Sequence, residues 1–152
     1  MSRSDQALRD ENRKIFESML DHLGKKEFDE FEKYLAIDFV QEWPYTVSAE
    51  QPPRLHGAHQ LREFIEIGTS TFDPYNYRIH RYYECLDPDE LIVEYSSHTR
   101  YLPRDKAYSN FYLGIVRFSK QRITFWREYL NPSVVAEALG DDLQLPMAER
   151  AS

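Results

Sequence analysis

The sequence predicts an α+β domain in which helices pack against one face of a curved antiparallel sheet. Two segments before residue 36 carry apolar residues at a period near 3.6, which is typical of amphipathic helices. After residue 76, runs of aromatic and β-branched residues alternate with short polar turns, which is typical of antiparallel strands. This order of elements favours a fold of packed layers around one apolar core.

Each predicted element has its own start and stop signals. Ser4 or Asp5 can cap the first helix, and Gly24 ends it. Pro44 confines the end of the first strand to a sheet edge or a bulge, because proline lacks the N–H that a ladder needs. Asn131 can cap the last helix. The predicted helices cover residues 5–23, 27–35, 59–68 and 133–139, the predicted strands cover residues 37–45, 77–86, 91–101, 108–118 and 123–130, and residues 46–54 are a predicted loop.

The hairpin of the last two strands is the centre of the predicted fold. If Phe118 pairs with Ile123, then Leu113 lies opposite Glu128, because antiparallel partners sum to a constant. Glu128 then shares a face with Leu113 and other apolar residues, so that a lone acid lies in an apolar lining. A bulge near Arg127 would shift this register by one residue and exchange the two faces.

Composition limits the classes of partner. The chain has 152 residues, of which 41% are hydrophobic and 14% aromatic, so we expect one domain over residues 1–152 with a packed core and short flexible tails at 1–4 and 146–152. The formal net charge is −7, and lysine and arginine form no cluster. We therefore expect neither nucleic acid nor a membrane surface as a partner.

Two further features indicate the compartment. Cys85 is the single cysteine, so no intrachain disulfide can form, which suits a reducing environment. The N-terminus lacks the apolar core of a signal peptide, and no apolar run approaches the roughly 20 residues of a membrane span. The sequence therefore predicts a cytoplasmic protein.

Four motifs resemble the NTF2-like superfamily, and in particular its SnoaL-like and phenazine biosynthesis A/B-like branch. They are DFVQEWPY at 38–45, PRLHG at 53–57, YSN at 108–110 and WREYLNP at 126–132, and the resemblance extends over about residues 16–145. It implies a cone, in which a strongly bent sheet wraps a pocket closed by helices, and a homodimer formed through the sheet. It implies no single activity, because members include isomerases, aldol cyclases, dehydratases, epoxide hydrolases and non-catalytic binding proteins.

Glu128 is the predicted catalytic residue. The residues alone favour an ion pair between Glu128 and an arginine such as Arg100 or Arg117. The resemblance reverses that preference, because the glutamate of the last motif is an acid/base in the phenazine branch and maps onto Glu128. The same branch carries a histidine on its third helix where this sequence has Phe64, which argues against phenazine chemistry itself.

Other residues are candidates for ligand contacts. Asn110 and Tyr112 can donate hydrogen bonds to a ligand oxygen, or serve only in strand packing. His98 is a further candidate, although a strand histidine is more often solvated or hydrogen-bonded than functional. The remaining candidates are aromatic and can belong either to the core or to a pocket wall: Trp43, Tyr45, Phe64 and Trp126.

Two functions follow from these candidates. The first is an enzyme in which Glu128 moves a proton on a hydrophobic, aromatic or polyketide-like small molecule. The second is a binding protein in which Glu128 only anchors the ligand. No histidines and carboxylates have metal-ligand spacing on one helix face, and the five glycines form no phosphate loop, so no metal and no cofactor is predicted.

The sequence also predicts an assembly. The strands at 77–86 and 91–101 carry apolar residues on both faces, more than one layer of helices can cover. We expect the outer face of the sheet to pack against a second copy of the chain.

Overall fold

The computed structural model describes residues 4–150. The predicted flexible tails lie partly outside this range, since residues 1–3, 151 and 152 are not described. Among the described tail residues, Ser4 accepts a hydrogen bond from the Ala7 N–H at 3.2 Å, and Met147–Glu149 form a 3-10 helix. Within residues 4–150, no helix is both long and apolar enough to cross a bilayer.

The described part of the chain has four α-helices. They are α1 (Asp5–Gly24), α2 (Phe28–Lys33), α3 (Ala58–Gly68) and α4 (Pro132–Leu139). The predicted caps are present at both ends of the chain, since Ser4 caps α1 and the Asn131 side chain accepts from the Ser133 N–H at 3.0 Å. Gly140, at φ 55°, ends α4 in a conformation that favours glycine.

Six strands form one curved, open sheet over residues 4–150. Its order is β2-β1-β6-β5-β4-β3. The strands are β1 (Leu35–Glu42), β2 (Arg54–His56), β3 (Phe72–Glu84), β4 (Glu90–Tyr101), β5 (Lys106–Ser119) and β6 (Arg122–Tyr129). The predicted α+β class and the meander from β3 to β6 are confirmed. Not every pairing is antiparallel, however, because β1 lies parallel to β6.

Several predicted boundaries are wrong near the sheet edge. Leu35 begins β1 instead of ending the second helix, and β1 ends at Glu42 rather than residue 45. Strand β3 begins at Phe72, five residues before the predicted start, and the short strand β2 lies where the loop at 46–54 was predicted to end. Short elements of this kind owe their structure to pairing across the sheet, which a local pattern does not record.

The predicted register of the β5–β6 hairpin is wrong by one residue. Phe118 does pair with Ile123, but the next pair is Arg117 with Phe125, so Thr124 is an extra residue in β6. This β-bulge lies nearer the turn than Arg127, the position where a bulge was left open by the sequence, and it places Gly114 instead of Leu113 opposite Glu128. Leu113 is 36% exposed on the outer face. Glu128 therefore lies with Gly114 on the inner face.

The main core fills the space between the inner face of the sheet and the N-terminal helices. Helix α1 buries one side completely, with Phe16 and Met19 both at 0% exposure. A second apolar cluster packs α4 against the start of β5 and the end of β4, around Tyr101, Tyr108 and Leu139. The gap between these two clusters is the location of the candidate site.

Candidate active site

A pocket opens between the inner face of the sheet, α3, the segment that follows β1, and the C-terminal residues. Its cavity volume is about 170 Å³. Most of its walls are apolar or aromatic, as is usual for small-molecule sites. Of the described residues that line it, Glu128 is the one carboxylate and Arg150 the one cation. The lining also includes Gln41, Trp43, Phe64, Tyr75, Tyr77, Tyr108, Tyr112, Trp126 and Met147.

Both oxygens of the Glu128 carboxylate accept hydrogen bonds from aromatic side chains. The indole Nε1 of Trp43 donates to Oε1 at 3.3 Å, and the hydroxyl of Tyr95 donates to Oε2. The Tyr95 hydroxyl in turn accepts from Trp126 Nε1 at 3.1 Å. This chain of donors fixes the orientation of the carboxylate, while its remaining lone pairs are available to a ligand.

The backbone beside Glu128 leaves space for this series of hydrogen-bonded side chains. Gly114 lies opposite Glu128, and a Cβ at this position would be 3.1 Å from the Tyr95 ring and 3.2 Å from Trp126 Nε1. A side chain at position 114 would displace Tyr95 and Trp126, which both belong to the hydrogen-bonded series. Trp43 lies just beyond the end of β1, and its backbone N–H donates to the Pro53 carbonyl at 2.9 Å, which holds the indole in place.

Burial raises the pKa of Glu128. Desolvation by the surrounding protein is the largest cause, and the hydrogen bonds from Tyr95 and Trp43 oppose it without cancelling it. The result is a pKa of about 7, compared with an ordinary value of 4.5. A carboxyl group with this pKa exists in both protonation states near neutral pH and can both accept and donate a proton.

The ion pairs of the described residues do not include Glu128. Arg100 pairs with Asp105 at 3.1 Å, and Arg117 pairs with Glu90 at 2.9 Å. The two arginines that the sequence offers as partners therefore have other acidic neighbours, and both lie away from the pocket lining.

Four tyrosines place hydroxyl groups around the cavity. Burial raises the pKa of Tyr75, Tyr77, Tyr108 and Tyr112 above the ordinary value of 10, so all four are neutral phenols near pH 7. The Tyr112 hydroxyl lies 2.8 Å from the Ser97 Oγ. Neutral phenols can donate hydrogen bonds to a ligand oxygen without adding charge to the pocket.

Four of the predicted contact residues line the pocket together with Glu128. Trp43 and Phe64 form one wall, with ring centroids 5.2 Å apart. Tyr112 and Trp126 lie on the neighbouring strands β5 and β6. Phe64 belongs to α3, so the third helix presents an apolar ring to the cavity.

Asn110 does not line the pocket. It is 3% exposed, and its Nδ2 donates to the Tyr108 hydroxyl at 2.8 Å and to the Asn131 carbonyl at 3.1 Å. Its Oδ1 accepts from the Asn131 N–H at 3.1 Å. The amide therefore joins β5 to the start of α4 and reaches the ligand space only through Tyr108.

Tyr45 and His98 lie outside the pocket as well. Tyr45 follows Pro44 beyond the end of β1, is 58% exposed, and packs against Tyr129 with ring centroids 6.0 Å apart. His98 is exposed on the outer face of β4, where its Nε2 lies 3.2 Å from the Ser96 Oγ. The alternation of the strand puts His98 on the side opposite Ser97, whose hydroxyl contacts pocket residue Tyr112.

Several pocket residues are absent from the sequence-based candidates. Gln41 lies two residues before Trp43, so strand alternation could have placed it on the same face. Tyr75 precedes the predicted strand at 77–86 and Tyr77 begins it, and neither belongs to a motif that indicates the site. Arg150 has no local signal, because its position depends on the path of the C-terminal segment. Tyr95 lies behind the pocket lining, and its contact with Glu128 depends on packing across the sheet.

Arg150 holds that segment against the rest of the protein. It is 8% exposed, and its Nε donates to the carbonyls of Asp142 and Leu145 at 3.0 and 3.1 Å. Its Nη2 donates to the Leu143 carbonyl at 3.2 Å.

Across residues 4–150, no group of three or more histidine, cysteine, aspartate or glutamate side chains is arranged to hold a metal ion.

Solved structures with the same fold include proteins with several activities. A Bacillus subtilis protein provisionally named an isomerase superposes with a TM-score of 0.79 at 20% identity, over 86% of this chain and 94% of its own. A phenazine biosynthesis-related protein from Pseudomonas aeruginosa gives 0.72 at 19% identity, over 93% and 92%. An LEH-like epoxide hydrolase from M. tuberculosis gives 0.65 at 20% identity, over 85% and 89%. At these identities the likeness establishes the NTF2-like fold.

The family is shown by sequence. Residues 16–126 match the SnoaL-like domain, and the chain belongs to this family. An uncharacterised Bacillus subtilis protein, YesE, is 25% identical over 101 residues, which cover 66% of this chain and 68% of YesE.

Proposed function

We propose that the protein is an enzyme that performs acid/base chemistry on a hydrophobic small molecule, with Glu128 as the group that takes and returns the proton. One observation carries this proposal. Glu128 is the one carboxylate among the described residues of a mostly apolar pocket, it lies outside the observed ion pairs, and its pKa is about 7. A general base or acid is most effective when its pKa lies near the working pH.

The surrounding tyrosines suit such a reaction. When Glu128 removes a proton from a C–H or O–H group, negative charge develops on a nearby ligand oxygen. The hydroxyls of Tyr75, Tyr77 and Tyr112 are neutral donors that can stabilise this charge. Return of the proton to another atom of the ligand completes an isomerisation, and loss of a leaving group or ring closure gives a dehydratase or cyclase. The isomerase name of one structural relative supports the first of these reactions.

A binding protein without catalysis is the second candidate. It is favoured by one feature of the site, which is that the described pocket lining offers no second carboxylate and no histidine to share the proton transfer. In that case Glu128 would anchor a ligand hydroxyl or a cationic group.

The Glu128→Gln variant separates the two functions. The amide keeps the shape of the side chain but cannot accept and return a proton, so turnover should fall by roughly 10²- to 10⁴-fold. Ligand affinity should change little. The ligand is first identified by native mass spectrometry of the purified protein, and its turnover and binding are then measured for both proteins. Glu137→Gln, an exposed substitution on α4, is the matched control.

Equal turnover by wild type and Glu128→Gln would eliminate the catalytic role. A ligand that binds wild type but is never converted would favour the binding protein instead.

A further inference from the structure

The pocket contains a buried polar side chain that has no role in the proposed proton transfer. Gln41 lies on β1, is 1% exposed and lines the cavity. Its Oε1 is buried and has no hydrogen-bond partner among residues 4–150. A buried carbonyl oxygen without a partner is destabilising, and native structures satisfy nearly all such groups.

The other unpartnered buried atoms of the described chain differ from Gln41. Arg9 and Arg13 each lack a partner only at Nε, while the Nη2 atom of each is hydrogen-bonded, and Thr99 lies outside the pocket lining. Gln41 alone in this group faces the cavity. The Gln41 amide therefore borders the space that a ligand would occupy, and turning the terminal amide group over exchanges the positions of its oxygen and nitrogen.

The sheet register places this acceptor near Glu128. In the parallel pairing of β1 with β6, Gln41 lies beside Trp126 and Glu42 lies beside Arg127. Glu128 is thus two residues along β6 from the partner of Gln41, on the same inner face. Diagonal neighbours of this kind lie about 7–8 Å apart, so one small molecule can contact both side chains.

We propose that Gln41 accepts a hydrogen bond from an O–H or N–H group of the ligand and so determines which ligands bind. This inference rests on the proposed function for the location of the ligand. An apolar cavity of about 150 Å³ accommodates benzene, and the present cavity is of similar size at about 170 Å³. The chemical class is then a compound that places one ring in the cavity and carries a neutral hydroxyl or amino substituent on that ring. A deprotonated substituent is disfavoured, because it cannot donate to Gln41 and is repelled by ionised Glu128.

Two probes of nearly equal size test the inference. 4-Fluorophenol carries an O–H donor, whereas 4-fluoroanisole has only an acceptor oxygen, and the affinity of the protein for each is measured by ¹⁹F NMR titration. At pH 7 the phenol is neutral, since phenolic groups have a pKa near 10. Wild type should bind 4-fluorophenol about tenfold more tightly, which is the effect of one satisfied hydrogen bond in a buried site.

Gln41→Leu is the decisive variant. Leucine has a similar volume and removes the unpartnered oxygen, so folding should be preserved, and Gln41→Met provides a second apolar substitution of similar length. Both variants should lose the preference, with weaker binding of 4-fluorophenol and unchanged or tighter binding of 4-fluoroanisole. Glu128→Gln should retain most of the preference.

Several different results would overturn the inference. Undiminished preference in both Gln41 variants would show that another group accepts the bond, and loss of the preference in Glu128→Gln alone would identify that group as Glu128. Failure of wild type to bind either probe would reject the proposed class of ligand. None of these measurements requires turnover, so they are independent of whether Glu128 is catalytic.

Discussion

At the scale of single residues, the protonation of Glu128 depends on a balance between burial and hydrogen bonding. Burial favours the neutral acid, whereas the donors Tyr95 and Trp43 favour the carboxylate. Tyr95 has the larger effect of the two donors. The pKa of about 7 is therefore a property of the aromatic surroundings as much as of the acid itself.

This balance predicts that Tyr95→Phe raises the pKa of Glu128 further. The phenyl ring keeps the packing but removes the hydroxyl that donates to Oε2. The carboxyl carbon of Glu128, followed by ¹³C NMR, should then titrate at higher pH than in wild type. Trp43→Phe should produce a smaller change in the same direction. A midpoint that is unchanged or lower in Tyr95→Phe would contradict the assignment of Tyr95 as the main donor.

The raised pKa also predicts how stability changes with pH. The folded protein keeps a proton on Glu128 in a range where the unfolded chain has lost it, so the free energy of unfolding falls as the pH rises from about 4.5 to about 7. The loss amounts to at most about 3 kcal/mol, and the partial exposure of Glu128 to the cavity reduces it. Glu128→Gln removes this cost.

Thermal melts at two pH values measure the effect. Glu128→Gln should melt at a higher temperature than wild type at pH 8, and the difference should shrink at pH 5. The control Glu137→Gln should follow wild type at both. A buried ion pair of Glu128 would give the opposite sign, since the variant would then be less stable at pH 8.

At the scale of elements, the bulge at Thr124 determines which face Glu128 occupies. Without the extra residue, Phe118 and Ile123 would set a register in which Glu128 lies opposite Leu113, a residue of the outer face. The sequence predicts the hairpin correctly. It does not place the bulge, because an extra residue near a turn leaves no mark on local alternation until the partner strand is known.

Strand β2 and the Tyr95 contact are not predicted from the sequence for the same physical reason. Strand β2 has three residues and forms only by pairing with β1, so it has no period of its own. Tyr95 belongs to a strand that is correctly predicted, and its hydroxyl meets Glu128 only because β4, β5 and β6 are adjacent in the sheet. Periodicity identifies elements and faces, whereas contacts across several strands depend on registers that the sequence does not specify.

Asn110 stabilises the junction between β5 and α4 instead of contacting the ligand. Its amide joins β5 to the residue that caps α4, so Asn110→Ala should destabilise the protein by about 2–4 kcal/mol through loss of buried hydrogen bonds. Tyr108→Phe removes only one of these bonds and should cost about 1 kcal/mol. Urea denaturation measures both. A stable Asn110→Ala variant with impaired ligand binding would instead support a direct contact with the ligand.

At the scale of the whole molecule, the two faces of the sheet have different surroundings. Helices and the pocket cover the inner face. On the outer face, Phe111 remains 54% exposed and stacks on His80 with ring centroids 5.1 Å apart, and Leu113 is 36% exposed beside it. Apolar side chains grouped on an open sheet are typical of a surface that packs against another protein.

We expect this outer face to form a homodimer. A two-fold interface brings the same patch of both copies together, so Phe111 and Leu113 would be buried in each chain. Light scattering at micromolar concentration should then give about twice the monomer mass of 18.2 kDa. Phe111→Glu places a charge in the centre of the patch and should yield monomers, whereas Leu86→Glu, at a fully exposed position in the turn after β3, should leave the dimer intact. A monomeric mass for wild type would reject this assembly, and a Phe111→Glu dimer would place the interface elsewhere on the molecule.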